Sequence, residues 1–173
     1  MRKVSRRRPR RGGGRRRPKR HAPQLEVSPP YSPPSKRVPG MTLCADLGGK
    51  VRGMRVMVVE DFEDTREMLK LMLELKGCEV LEAADGREAV ERALGDGLNL
   101  ILMDLNLPVM SGYEATREIV SSPRTSHIPV VALSAQCSGE RRQRALDAGC
   151  LECLDKPINM PALDEVLHRY AAA

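Results

Sequence analysis

The chain has 173 residues, with 29 Lys and Arg against 23 Asp and Glu for a formal net charge of +6. That figure averages two opposite segments: residues 1–55 hold 17 of the basic side chains and two acids, Glu26 and Asp46, a net of +15, whereas residues 56–173 carry a net of −9. No apolar run is long enough to span a bilayer and no apolar stretch follows the basic start, so composition argues against membrane insertion and secretion, and the expected location is the cytoplasm.

Residues 1–53 come first. "MRKVSRRRPRRGGGRRRPKR" has almost no apolar side chains and repels itself, and "APQLEVSPPYSPPSKRVPG" is dense in proline, so neither offsets the entropy of ordering and the segment is expected to be disordered. Three readings of it stay open. Residues 1–20 bind nucleic acid or another polyanion by counterion release, the segment lies on the acidic remainder of the chain, or it is sequence upstream of a start at Met41 or Met54.

Residues 54–173 have the length of one compact domain. "MRVMVV" (54–59) reads as a buried strand. "DTREMLKLMLELKG" (64–77), with Met68, Leu69, Met72, Leu73 and Leu75 near helical spacing, reads as a helix stopping at Gly77. The pattern then repeats: "CEVLEA" as strand and "GREAVERAL" as helix, "LNLILMD" and "YEATREIV", "IPVVALS" and "SGERRQRALDAG", "CLECLDKP" and "MPALDEVLHRYAA". Five strands alternating with five helices predict a parallel sheet covered on both faces. The unbroken apolar runs "RVMVV", "LILM" and "PVVAL" suit strands buried on both sides.

Right-handed crossovers bring every strand's C-terminal end to one edge, where open α/β sheets bind ligands. Glu60 and Asp61 follow the first strand, Asp104 ends the third, Ser134 the fourth, and Lys156 follows the fifth. Three carboxylates meeting there repel one another unless a cation joins them, and a hard divalent ion such as Mg2+ suits oxygen ligands and leaves positions for phosphate oxygens. An acid at a strand end beside Mg2+ can act as a nucleophile towards phosphorus, with Lys156 neutralising charge and the Ser134 hydroxyl bonding a phosphoryl oxygen.

The stretches "VVEDFEDTREML", "ILMDLNLPVMSGYEA", "PVVALSA" and "AGCLECLDKPI" resemble the receiver domain of two-component response regulators across residues 54–173. The resemblance implies a flavodoxin-like, doubly wound five-stranded sheet of order 2-1-3-4-5 with five helices, for which a chemotaxis receiver is a type example. It implies that Asp104 is the phosphorylated aspartate, Glu60 and Asp61 the metal-binding acidic pair, Ser134 the switch hydroxyl, and Lys156 the lysine before Pro157. It also implies that the Asn106 backbone carbonyl completes the Mg2+ shell. The expected partners are a histidine kinase or histidine phosphotransfer protein as donor and a downstream protein as target. Receivers often carry Tyr or Phe where this chain has Cys153, which puts the usual aromatic readout in doubt.

Each site residue also has a plainer role open to it: Glu60 or Asp61 capping the first helix, Ser134 capping the fourth, Lys156 as a surface charge. Two other functions are weighed. One is an adaptor working without phosphorylation; the other is a haloacid-dehalogenase-like phosphatase, which wants a second acid where Asn106 stands. The five cysteines are an odd set without disulfide-framework spacing. The lone Cys150–Cys153 CxxC lacks the partners of a zinc site, so all five are expected to be buried, inert thiols.

Overall fold

The computed structural model describes residue 51, residues 53–95 and residues 97–171. The disorder expected for residues 1–53, apart from Val51 and Gly53, the polyanion contact of residues 1–20, and Cys44 all lie outside the described residues.

Strands and helices alternate as β1 (Arg55–Val59), α1 (Glu63–Leu75), β2 (Glu79–Ala83), α2 (Gly86–Ala93), β3 (Leu100–Asp104), α3 (Gly112–Ser121), β4 (Val130–Ser134), α4 (Gly139–Ala148), β5 (Glu152–Asp155) and α5 (Met160–Ala171). All neighbouring strands are parallel, in the order β2-β1-β3-β4-β5, which is the expected doubly wound order.

The unbroken apolar runs follow from this placement. Alternate residues of a strand face opposite sides of the sheet. Met57, Val59, Ile101, Met103, Val130 and Ala132 pack with Ala89 of α2, Ala115 and Ile119 of α3 and Ala145 of α4. Val56, Val58, Leu100, Leu102, Val131 and Leu133 pack with Leu69 and Leu73 of α1 and Leu163, Val166 and Leu167 of α5. All five residues of β3 and of β4 are buried, and the sheet's edge strands β2 and β5 are the less buried ones.

Helix ends follow local chemistry. Gly77, at φ 86°, ends the turn after α1, and Gly149, at φ 107°, caps α4, a left-handed backbone that glycine adopts without a Cβ penalty. Ser111 and Glu114 form a reciprocal capping box that fixes the start of α3. The apolar spacing of α1 overstates its core face: Leu69 and Leu73 are buried, but Met68, Leu71 and Leu75 are exposed, as is Phe62 just before the helix.

Candidate functional site

The register of the three central strands sets the site. Val59 lies opposite Met103 and Asp104 opposite Leu133, so the residues after β1, the last residue of β3 and the last residue of β4 share one edge. The Glu60 amide continues the ladder by donating to the Ala83 carbonyl at 3.1 Å, and the Lys156 amide does the same to the Ser134 carbonyl at 2.8 Å. Backbone hydrogen bonds thus hold Glu60, Ser134 and Lys156 in place at the strand ends.

Asp104 is 5% exposed although it is a carboxylate. Its Oδ1 accepts from the Asn106 amide at 3.0 Å, and its Oδ2 accepts from Lys156 Nζ at 2.7 Å. Lys156 Nζ also donates to Glu60 Oε2, so a single ammonium bridges two buried carboxylates. Burial pushes the Glu60 carboxyl above its usual value, against the downward pull of Lys156. For Lys156 burial works against the charge, but the bonds to Asp104 and Glu60 outweigh it and raise the amine above the usual lysine value, so it stays an ammonium. Asp61, next to Glu60, is exposed at the mouth of the same edge.

Carboxylate oxygens of Glu60, Asp61 and Asp104 lie within 4.8 Å of one another. Three hard oxygen donors against one ammonium leave the edge short of positive charge, which suits Mg2+ better than a softer metal. The residues present therefore fit the expected ion.

The loop from β3 to α3 turns sharply beside Asp104. Val109 takes φ 64° and the Met110 amide donates to the Pro108 carbonyl at 2.6 Å, a tight three-residue turn rare for a β-branched residue. Gly112 then starts α3 directly against the strand end: a Cβ there would sit 1.9 Å from the Asp104 carbonyl oxygen. Only glycine allows the helix to begin so close to the acid.

The buried Ser134 hydroxyl donates to the Gln136 carbonyl and accepts from the Gln136 amide, both at 3.3 Å. It is therefore engaged with the loop leading to α4, through long bonds that a better acceptor could replace. The plainer roles are taken by other residues or by none. The residue capping α1 is Phe62 and that capping α4 is Ser138, neither with a side-chain cap bond, and Lys156 spends its charge inside the site.

The expectation of five inert thiols needs correction. Cys137 and Cys153 are joined as a disulfide with Cα atoms 5.7 Å apart, while Cys78 and Cys150 are free and buried. The pairing does not follow the CxxC spacing: Cys150 lies 3.7 Å from the Thr116 hydroxyl, and the neighbour of Cys153 comes from the loop after β4. The missed signal is that β4 and β5 are adjacent, so a cysteine just past one strand end can reach the next strand.

No helix among the described residues is long and apolar enough to cross a membrane. The family model described as the response regulator receiver domain matches residues 56–168. The polar-differentiation response regulator DivK of Brucella anthropi is 34% identical over 115 residues, covering 66% of this chain and 94% of DivK. Among solved structures, the receiver domain of the sensor histidine kinase PA1611 from Pseudomonas aeruginosa, with a magnesium ion coordinated in its active site cleft, aligns with a TM-score of 0.66 at 35% identity, over 70% of this chain and 99% of that one. The receiver domain of the response regulator Ssk1 of Saccharomyces cerevisiae, in complex with the histidine phosphotransfer protein Ypd1, aligns with a TM-score of 0.63 at 32% identity, over 69% of this chain and 89% of the matched one.

Proposed function

The chain belongs to the response regulator receiver family of two-component phosphorelay signalling, and on that premise we propose that Asp104 accepts a phosphoryl group from a phosphohistidine donor with the help of Mg2+. The observation that carries the reading is the Lys156 ammonium shared between the buried Asp104 and Glu60, with Asp61 alongside. A buried acid held this way is oriented at the sheet edge with a cation beside it.

The chemistry follows from the side chains. A carboxylate oxygen of Asp104 attacks phosphorus in line, the phosphorus–nitrogen bond of the donor breaks, and the electron pair leaves with the imidazole. The Asn106 amide and Lys156 hold the two carboxylate oxygens in fixed directions, so little entropy remains to be lost on attack. Lys156 keeps its charge and can follow the negative charge from the carboxylate to the phosphoryl oxygens. Mg2+, held by Glu60, Asp61, Asp104 and the Asn106 carbonyl, would neutralise charge on the moving group. The Ser134 hydroxyl then exchanges its long bonds to Gln136 for a phosphoryl oxygen, which draws on the loop before α4 and alters that surface for a downstream protein.

The donor reading draws support from the surface beside Lys156, where exposed Met68 lines a cleft with Thr65, Pro157 and Ile158. By this reading, residues 54–173 form the receiver and act in the cytoplasm. The protein turns over its own phosphoryl group rather than a metabolite.

Intact-mass spectrometry after incubation with acetyl phosphate tests the acceptor role. A gain of one phosphoryl group that needs Mg2+ and disappears in Asp104→Asn is the expected result. A gain of equal size in Asp104→Asn refutes it, and no gain in either protein, with no detectable Mg2+ binding, shifts the reading to a phosphorylation-independent adaptor.

A further inference from the structure

We propose that Cys137 and Cys153 form a reversible thiol–disulfide pair, oxidised by a hydroperoxide, that pins the loop between β4 and α4 onto β5 and so opposes the Ser134 response to a phosphoryl group on Asp104. The regulatory half rests on the acceptor reading; the redox pair itself does not.

Placement carries the argument. Cys137 follows Ser134 by three residues and Cys153 precedes Lys156 by three, so the pair bridges the two segments that end in the switch hydroxyl and the site ammonium. The Cα separation of 5.7 Å lies within the range of about 4.4–6.8 Å that disulfides span without backbone movement. The Cys137 amide also donates to Asp155 Oδ1 at 2.6 Å, which brings the same loop and strand together beside the sulfurs. The loop that holds Ser134 through Gln136 is therefore tied to β5 by a hydrogen bond and by a covalent link, and reduction removes the covalent one.

Selectivity comes from the surroundings. Cys78 lies in the core on the other side of the sheet, and burial pushes its thiol up to about 11. Burial likewise pushes Cys150 up to about 11, and its sulfur faces Thr116. Neither supplies thiolate near neutral pH. Cys137 and Cys153 are buried too, at 8% and 6% exposed, but each has the other's sulfur as a partner, and exposed Ala135, Gln136, Ser138 and Gly139 flank Cys137 in the loop.

The reaction balances in two steps. The Cys137 thiolate attacks the peroxide oxygen, the oxygen–oxygen bond breaks, and a sulfenic acid forms with loss of water or alcohol. The Cys153 sulfur then displaces water from the sulfenic acid, forming the disulfide. Two thiols lose two protons and two electrons to one hydroperoxide, and a dithiol reductant reverses the change. In a reducing compartment such a bond is transient, as a sensor requires.

The test uses the full chain, first reduced with dithiothreitol, then exposed to hydrogen peroxide, alkylated with N-ethylmaleimide and mapped by peptide mass. In parallel, the rate of Mg2+-dependent phosphoryl gain from acetyl phosphate is read in the reduced, oxidised and re-reduced protein. The expected result is a Cys137–Cys153 linked peptide and a rate lower on the order of tenfold in the oxidised form, restored by reductant. Cys137→Ser, a change on the loop, and Cys153→Ala each abolish both the linked peptide and the peroxide sensitivity. Full alkylation of both sulfurs after peroxide, a link to Cys150 instead, or equal rates in the two forms overturns the proposal. If the reduced protein gains no phosphoryl group, the acceptor reading falls and the regulation with it, while the linked peptide still decides whether the redox pair exists.

Discussion

Replacing Gly112 with alanine adds a single methyl group at the point where α3 meets the end of β3. That Cβ would stand 1.9 Å from the Asp104 carbonyl oxygen and 2.9 Å from both the Asp104 carbonyl carbon and Leu105 Cα, where ordinary contact begins at 3.4 Å. The obstacle is backbone in a fully buried strand, so no side chain can rotate away. The helix start, the strand end or both must move by about 1.5 Å, and overpacking of this kind costs roughly 1–3 kcal/mol, here towards the upper end. Alanine favours a helix over glycine by at most about 1 kcal/mol, which leaves a net loss of roughly 2 kcal/mol. The same displacement turns the Asp104 carboxylate away from Lys156 and Asn106, so phosphoryl gain should fall by more than the loss of folded protein explains. Urea unfolding followed by circular dichroism gives the stability, and intact mass after acetyl phosphate gives the site. A Gly112→Ala protein within about 0.5 kcal/mol of the parent, phosphorylated at the same rate, would refute the close approach.

Other perturbations separate fold from site. Ser111→Ala removes the capping box of α3 and should cost about 1 kcal/mol in urea unfolding. Mg2+ at ten times its dissociation constant should stabilise the parent by about 1.4 kcal/mol, read as a rise in the thermal midpoint, and Asp61→Asn should lose most of that rise. The Ala84 amide, with Arg92 adding to it, holds the Glu88 carboxyl below its usual value. The stability from that bond is present above the unfolded value of about 4.3 and is lost as pH falls through the lower folded value. Glu88→Gln should therefore show a shallower fall in stability with acid than the parent, measured as unfolding midpoints across that range.

The sheet was legible because β1, β3 and β4 serve two cores at once, which writes an unbroken apolar run into each. The acid cluster was legible for a related reason: in parallel topology an acid just past an apolar run can only emerge at the shared edge. Contacts made by side chains across that edge were not. Nothing in the spacing of Glu60, Asp104 and Lys156 says that one ammonium bridges both carboxylates, or that Ser134 bonds Gln136. The Cys137–Cys153 pair escaped notice because it needs the strand order and the loop path together. On α1 the apolar residues exceed what the core uses, since Met68, Leu71 and Leu75 face outward, and periodicity alone does not separate core from contact surface.

The central claim is that Asp104 itself becomes an acyl phosphate, and chemical trapping tests it most directly. The protein is phosphorylated with acetyl phosphate and Mg2+, reduced with borohydride, which converts an acyl phosphate to the corresponding alcohol, and mapped by tandem mass spectrometry. Conversion confined to residue 104 is the predicted result. Conversion at Glu60, Asp61 or any other acid, with residue 104 untouched, would contradict the account.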